Sequence, residues 1–163
     1  MNLTTNMKSI KLGVIGIDHG HIFDMLDEML KESCTCDYFW TEGDPLTLKE
    51  FNSKYPNIKR KQKKEEILND PSIDMILISS VPKDRAHNSI EALKAGKDVM
   101  VDKPGCTTLD QLNEIKQTIK ETGKIWSVNF SERFHVAAVA KAEELVKRGK
   151  IGKVKQTIGT GPH

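Results

Sequence analysis

The sequence has few of the features that mark secreted or membrane proteins. It contains only three cysteines in 163 residues, and the spacing of Cys34 and Cys36 is typical of neither a zinc site nor a redox motif. No apolar run approaches the roughly 20 residues that a membrane span needs. The first eleven residues hold no apolar stretch like that of a signal peptide. We therefore expect a cytoplasmic protein with free thiols and no membrane partner.

The sequence also lacks a large excess of positive or negative charge. The chain has 25 Lys and Arg against 23 Asp and Glu, which gives a formal net charge of +2. Its strongest basic run, KRKQKK at 59–64, is followed at once by two glutamates. A nucleic-acid surface needs more one-sided charge with interleaved aromatic residues. We interpret the run as a solvated surface segment and expect no nucleic-acid partner.

Short apolar runs alternate with amphipathic segments along the chain. The runs at 10–17 and 73–80 are typical of strands covered on both faces of a parallel sheet. Further strands are expected at 36–40, 98–104 and 124–130, with a new one starting at Val154, and helices at 45–55 (with Pro45 in the first turn), 63–70, 84–95, 107–122 and 136–148. Alternation of this kind predicts an α/β fold, a doubly wound and mostly parallel sheet with helices on both faces.

The helix after the first strand shows the periodicity clearly. Its apolar residues repeat at i, i+3, i+4, i+7 and i+8, which gives one buried face. They are Ile22, Met25, Leu26, Met29 and Leu30. The first unit is therefore expected to be a strand, a tight turn and a helix.

Ligands bind outside the carboxyl ends of the strands in such a sheet, and four turns there are distinctive. They are GIDHGH at 16–21, TEGD at 41–44, SSVPKDRAH at 79–87 and DKPG at 102–105. In the first turn Gly16 permits a tight bend, and the N–H groups of the following helix attract phosphate. A dinucleotide fingerprint has the form G-x-G-x-x-G, but Asp18 and His21 stand at its second and third glycine positions and Gly20 comes one place early. By itself this turn is a weak signal.

The same turn raises the question of a metal site. Asp18, His19 and His21 are residue types that ligate metals. Adjacent residues on a tight turn rarely converge on one ion, however, and no Cys or Glu lies nearby in sequence. We therefore expect no metal site.

The second turn carries an acidic candidate. A carboxylate roughly 20 residues beyond the glycine turn can bind a ribose diol, and Glu42 is the best placed, with Asp44 next. Because a carboxylate repels a 2′-phosphate, Glu42 favours NAD over NADP. The alternative is that Glu42 and Asp44 only shape a Gly-Asp-Pro turn.

Taken together, the four turns resemble those of the Gfo/Idh/MocA oxidoreductase family, over a stretch from about Lys11 to Lys155. The family's pattern is an apolar strand, a polar turn with Pro, a His opening a helix, AL-x-x-G and then V-x-x-E-K-P. Its elements are matched here by Pro82, His87, Ala92, Leu93, Gly96, Val99, Asp102, Lys103 and Pro104. Later, NFSERFH is similar to the family's N-x-R-x stretch, and KRGKIGKVK is similar to its passage into a second domain.

The resemblance implies a two-domain oxidoreductase. Residues 1–150 would form a Rossmann domain that binds NAD or NADP, and 151–163 would begin a second domain. In the family that second domain binds a sugar or similar polyol, often mediates homo-oligomerisation and carries the usual catalytic His. We therefore expect the sequence to be part of a longer chain that acts on a sugar-like small molecule. The alternative is a stand-alone cofactor domain.

The resemblance also implies a set of site residues. The catalytic one is Lys103, whose ammonium can hold a substrate oxygen and stabilise alkoxide charge; the alternative is an ordinary exposed turn lysine. The expected cofactor-binding residues are Gly16, Ile17, Asp18, His19, Gly20, His21, Glu42, Ser79, Ser80, Val81, Pro82, His87, Asp102, Lys103, Pro104 and Arg133.

Several of these positions leave alternatives open. Asp102 stands for the family's Glu, and Pro104 suits a sharp turn with a cis bond. His87 either opens a helix at the cofactor edge or is a turn or cap partner. Arg133 and His135 either face an interdomain cleft or lie on the surface.

Asp18 departs most from the family. A carboxylate in the path of the pyrophosphate costs space and charge, and a protonated His19 or His21 could offset it. Two functions therefore stay open. One is the cofactor domain of an NAD-preferring oxidoreductase, and the other is a degenerate homologue that serves as a non-catalytic binding or sensor module.

Overall fold

Six parallel strands form one sheet in this computed structural model, which describes residues 9–130 and 136–158. The strands are β1 (Lys11–Ile17), β2 (Thr35–Trp40), β3 (Lys59–Arg60), β4 (Met75–Ser79), β5 (Asp98–Asp102) and β6 (Trp126–Asn129). Their order across the sheet is β3-β2-β1-β4-β5-β6, and every pair is parallel. This is the doubly wound order, with the reversal of direction between β1 and β4. The predicted fold class is confirmed.

Helices connect the strands, as the alternation predicts. They are α1 (His21–Lys31), α2 (Leu48–Lys54), α3 (Glu65–Leu68), α4 (Pro82–Lys94), α5 (Leu109–Thr122) and α6 (Ala137–Lys147). Thr108 closes a capping box with Gln111 at the start of α5, and Gly123 ends that helix in the left-handed conformation. Among the described residues, none of the helices combines the length and the hydrophobicity that a membrane-spanning helix requires.

Alternate residues of the central strands feed two separate parts of the core. Leu12 and Val14 of β1 pack with the apolar face of α1 and with Phe51 of α2. Ile15, next along β1, belongs to the other cluster, which includes Ile67 of α3 and Leu93 of α4. Because successive side chains of a strand point to opposite faces, the sheet is covered on both sides.

The chain divides into two compact units, with the boundary after Asn129. The first unit holds the whole sheet and α1 to α5. The second holds α6, in which no residue is buried among those described, and a turn at Gly149 with φ +68°. The domain boundary at 150 that the sequence suggests stays a prediction.

Four details differ from the sequence-based expectation. Helix α2 begins at Leu48 rather than Pro45, because Pro45 lies in a preceding turn where its carbonyl accepts the Leu48 N–H (2.9 Å). Helix α4 begins two residues earlier than expected, at Pro82, whose ring fixes the backbone for a first helical position. The basic run contributes the short edge strand β3, which charged residues suit.

The fourth difference lies in the second unit. Residues 152–158 form no strand around Val154. A strand exists only through backbone hydrogen bonds to a neighbouring strand, and among the described residues none is formed by residues 153–158.

Candidate functional site

The turn after β1 is built on one glycine. Gly16 has φ +75° and lies in a bulge, since Ile15 pairs with Ile78 and Ile17 with Ser79. A Cβ at Gly16 would lie 2.5 Å from the Ser80 Cβ and 2.7 Å from the Ser80 Cα. Only glycine satisfies both the backbone angle and the close approach. The ends of β1 and β4 are therefore held together at the position where the doubly wound sheet opens.

The start of α1 differs from a usual phosphate-binding turn. The N–H of His21 donates to His19 Nδ1 (3.3 Å), the N–H of Ile22 to the His19 carbonyl (3.2 Å) and the N–H of Phe23 to the Gly20 carbonyl (3.1 Å). These are the donors that a helix N-terminus normally offers to an anion. Here they already have acceptors within the turn.

A cleft of about 440 Å³ lies at the ends of β1, β2 and β4, within the range of small-molecule sites. We call it the strand-end cleft. It is lined by Gly16, Asp18, Trp40, Glu42, Lys64, Ser80, Val81, Lys83, Asp84, His87 and Asn88. Three different strands thus contribute polar side chains to one concave surface.

Carboxylates dominate the part of the cleft next to β1 and β2. Partial burial raises the pKa of Asp18, and the nearby charges of Asp84 and Glu42 raise it further. Lys64 offsets little of this, because its ammonium is engaged by Asn88 (3.0 Å) and by the carboxylate of Glu91. This part of the cleft suits hydroxyl groups as ligands, since carboxylates accept hydrogen bonds.

A second group of side chains, which we call the Asp102 cluster, joins the turns after β1 and β5. It consists of Asp102, His19, His21 and Arg85. Asp102 Oδ1 is 2.8 Å from His21 Nδ1, and its Oδ2 is 3.4 Å from His19 Nδ1 and 2.8 Å from Arg85 Nη2. The two imidazole rings meet edge to face, with centroids 4.3 Å apart. Asp102 is completely buried.

Arg85 holds the turn that carries Lys103. Its Nε donates to the Ser80 carbonyl (2.7 Å), and its Nη1 donates to the carbonyls of Lys103 and Pro104. Burial lowers the pKa of Arg85, while the adjacent Asp102 acts in the opposite direction. The Lys103–Pro104 peptide bond is cis, as the sequence suggests.

The structure distributes the residues expected from the sequence between these two places. Gly16, Asp18, Glu42, Ser80, Val81 and His87 line the strand-end cleft. His19, His21 and Asp102 meet in the cluster, and Lys103 and Pro104 border it through their carbonyls. Gly20 precedes α1 and is exposed, and Pro82 is the first residue of α4. Arg133 and His135 lie outside the described residues.

Three residues have positions that the sequence did not indicate. Ile17 is fully buried in the core, so only its carbonyl, which accepts from Thr47, faces the turn. His87 does not open α4 but lies in its second turn, with its side chain 71% exposed and Nε2 3.3 Å from a Glu91 oxygen. Ser79 is also buried, and its hydroxyl donates to the His19 carbonyl (3.2 Å).

The convergence of His19 and His21 corrects an expectation. Neighbouring residues on the tight turn were expected to diverge, yet both rings reach Asp102. The reason is that the carboxylate comes from another strand end, 81 residues away from His21 in sequence.

Several residues of the cleft and of the Asp102 cluster were not predicted from the sequence. Trp40, Lys64, Lys83, Asp84, Arg85 and Asn88 belong to this group. Trp40 ends β2 two residues before Glu42, so its place at a strand end was a usable signal. Arg85 lies within the SSVPKDRAH turn segment, but nothing in the sequence shows that a helical arginine is buried.

Comparison with known proteins supports one family. The model of the oxidoreductase family with an NAD-binding Rossmann fold matches residues 10–130. The chain is 35% identical over 88 residues to the NAD(+)-dependent scyllo-inositol 2-dehydrogenase of Bacillus subtilis, covering 54% of this chain and 25% of that protein. It is 25% identical over 132 residues to the NADP(+)-dependent scyllo-inositol 2-dehydrogenase IolW of the same organism, covering 77% and 34%.

A solved structure agrees with these matches. A protein from Erwinia carotovora atroseptica, assigned as an oxidoreductase, superposes with a TM-score of 0.84 at 34% identity, covering 89% of this chain and 43% of that one. The chain thus spans between a quarter and under half of the length of these relatives. It belongs to the Gfo/Idh/MocA oxidoreductase family and represents that family's NAD-binding Rossmann fold.

Proposed function

We propose that this chain is the cofactor-binding part of an oxidoreductase that uses NAD in preference to NADP and acts on a sugar, polyol or related hydroxy compound. The observation that carries the proposal is that Glu42, at the end of β2, lines the same cleft as Gly16 and Ser80 at the ends of β1 and β4. A carboxylate at this position accepts hydrogen bonds from a ribose diol and repels a 2′-phosphate. The inositol dehydrogenases among the relatives support the substrate class.

The residues of the cleft fit the adenosine half of a dinucleotide. The bulge at Gly16 brings the backbone of β1 and β4 to the cleft without a side chain between them. Trp40 and Val81 offer apolar surface beside Glu42. NAD, when bound, supplies the hydride acceptor, and the protein supplies binding and orientation.

Lys103 is the residue of this chain that we assign to the reacting end. Its backbone carbonyl is held by Arg85, so the turn that carries the side chain is fixed. An ammonium group there would hold a substrate oxygen and stabilise negative charge that develops on it. We also propose the cytoplasmic location that is expected from the sequence.

A titration of the purified chain with NADH and NADPH tests the proposal. We expect NADH to bind more tightly, and Glu42→Gln to weaken NADH binding about 10-fold or more, since hydrogen bonds to charged groups contribute about 1.5–3 kcal/mol. NADPH binding should not fall in that variant. The control Asp44→Asn changes an exposed carboxylate that pairs with Arg60 (2.8 Å) outside the cleft. Equal effects of both substitutions would count against a role for Glu42.

The second candidate is a binding module without catalysis. It is favoured by the start of α1, where the N–H groups already have acceptors, and by Asp18 beside the path of a phosphate. If neither NADH nor NADPH binds in this titration, the result supports the alternative.

A further inference from the structure

The Asp102 cluster contains a set of donors that the proposed dinucleotide function does not use. One ring nitrogen of His19, one of His21 and a carboxylate oxygen of Asp102 all lie within 4.8 Å of one another. Two imidazoles and one carboxylate are ligands that divalent transition metals accept, whereas Mg²⁺ and Ca²⁺ prefer oxygen alone. The identity of the donors therefore points to an ion such as Zn²⁺.

The donor separations are close to those of a metal site. Zn²⁺ binds nitrogen and oxygen at about 2.0–2.2 Å, which puts two donors of a tetrahedron about 3.4 Å apart. The observed separations are 2.8 Å between His21 Nδ1 and Asp102 Oδ1 and 3.4 Å between His19 Nδ1 and Asp102 Oδ2. For all three donors to bind one ion, the histidine rings must reorient, and His19 Nδ1 must exchange the hydrogen bond that it accepts from the His21 N–H (3.3 Å) for the metal.

The surroundings of Asp102 resemble an outer coordination sphere. Arg85 Nη2 donates to Oδ2 (2.8 Å), which fixes the orientation of the carboxylate next to the two histidines. Hydrogen bonds of this kind fix metal-binding carboxylates in proteins. Since Asp102 and Arg85 are both buried, the carboxylate is preorganised and does not need to be ordered on binding.

Among the described residues, the two histidines form the more exposed part of the site. The side chain of Asp102 is 0% exposed, that of His21 25% and that of His19 51%. An ion would thus have protein behind it and solvent on the side of the histidines. Three protein ligands with an open side are the arrangement in which a water molecule or substrate oxygen completes the coordination of zinc.

From this geometry we infer that His19, His21 and Asp102 form a binding site for one divalent transition-metal ion, of the Zn²⁺ class. His19 comes from the turn before α1, His21 is the first residue of α1, and Asp102 ends β5. The site lies directly before Lys103 in sequence, at the strand end where the chemistry of the family is expected. Its existence does not depend on dinucleotide binding.

The test is a calorimetric titration of the whole chain with ZnCl₂, after treatment with EDTA and in a buffer that does not chelate metals. We expect about one equivalent to bind, and Co²⁺ to give visible absorption of protein-bound metal. His19→Gln and His21→Gln should each weaken binding at least about 10-fold, by analogy with the cost of disturbing metal ligation. Urea unfolding of both variants without metal checks that they remain folded.

The matched control is His87→Gln, because His87 is an exposed histidine outside the cluster. It should bind Zn²⁺ as the native chain does. The inference is overturned if the native chain takes up no Zn²⁺, or if His19→Gln and His21→Gln bind as tightly as His87→Gln. Titration with NADH in the absence of metal distinguishes the two proposals, since Zn²⁺ uptake without NADH binding would contradict the proposed function alone.

Discussion

The strand-end cleft and the Asp102 cluster lie at the same end of the sheet but treat their carboxylates differently. Asp18 and Glu42 in the cleft are exposed. Asp102 in the cluster is fully buried and pairs with Arg85, which is 2% exposed. A buried carboxylate is tolerated only with partners that offset its lost hydration, whereas an exposed one remains available to a ligand. We therefore expect changes to the buried Asp102–Arg85 pair to affect stability most, and changes to the exposed carboxylates of the cleft to affect ligand binding most.

Among the substitutions that test this difference, Arg85→Met should have the largest effect on stability. Without the guanidinium, the Asp102 carboxylate and the carbonyls of Ser80 and Lys103 lose a buried donor. We expect the free energy of unfolding in urea to fall by about 3–5 kcal/mol. Arg60→Met is the control, since Arg60 also donates to a carboxylate and to two carbonyls, those of Thr41 and Gly43, but its partner Asp44 is 79% exposed. It should cost only about 1 kcal/mol. Similar losses in both variants would contradict the assigned role of burial.

Gly16→Ala should distort the close contact between Gly16 of β1 and Ser80, which follows β4. The new Cβ would meet Ser80 at 2.5 Å and would require φ +75° of an alanine. Strain and overpacking together should lower the free energy of unfolding by about 2–4 kcal/mol. Gly96→Ala separates the two causes, because Gly96 has φ +77° but open space around it; that variant should lose only about 1–2 kcal/mol. If the two alanines cost the same, the close approach at Ser80 contributes nothing.

Asp18→Asn tests whether the negative charge of Asp18 opposes dinucleotide binding in the cleft. Removing one negative charge near the expected path of the pyrophosphate should tighten NADH binding about 5-fold, which corresponds to about 1 kcal/mol. The free energy of unfolding in urea should change by less than about 0.5 kcal/mol, because the Asp18 side chain is exposed. Asp24→Asn, an exposed change in the first turn of α1 outside the cleft, measures any general effect of charge. Weaker binding by Asp18→Asn would mean that Asp18 accepts a hydrogen bond from the ligand.

Lys103→Met should have the smallest effect on folding. The contact of Lys103 with Arg85 runs through the backbone carbonyl, which the substitution keeps. We expect the free energy of unfolding to stay within about 0.5 kcal/mol of the native value. In a full-length enzyme the same change should lower kcat strongly, because the ammonium is lost. A large loss of stability would instead mean that the Lys103 side chain stabilises the Asp102 cluster.

Much of the fold could be predicted from the sequence, because it depends on local periodicity. The apolar runs that became β1 and β4 and the repeat along α1 each follow from neighbouring residues. Element boundaries were less certain where a turn competes with a helix, as at Pro45. The strand expected at Val154 was wrong within the described residues, because an apolar alternation does not supply a pairing partner.

The site was predictable in its turns but not in its pairings. Gly16, Glu42 and Ser80 were expected at one ligand site because strand ends meet at one edge of a parallel sheet, and they line one cleft. The burial of Arg85 could not be predicted, because a charged residue within a helical segment is usually exposed. Its burial depends on the carbonyls and the carboxylate of a turn that follows another strand.

The sequence by itself determined which residues reach the carboxyl edge of the sheet, because local hydrophobic periodicity and turn residues set the order of strand, turn and helix. Only the tertiary structure decided which of them touch. His19 and His21 looked like neighbours with no common target until the crossover between β4 and β5 brought Asp102 to them. Contacts of this kind depend on strand order and on the cost of burying charge, and both are properties of the whole fold.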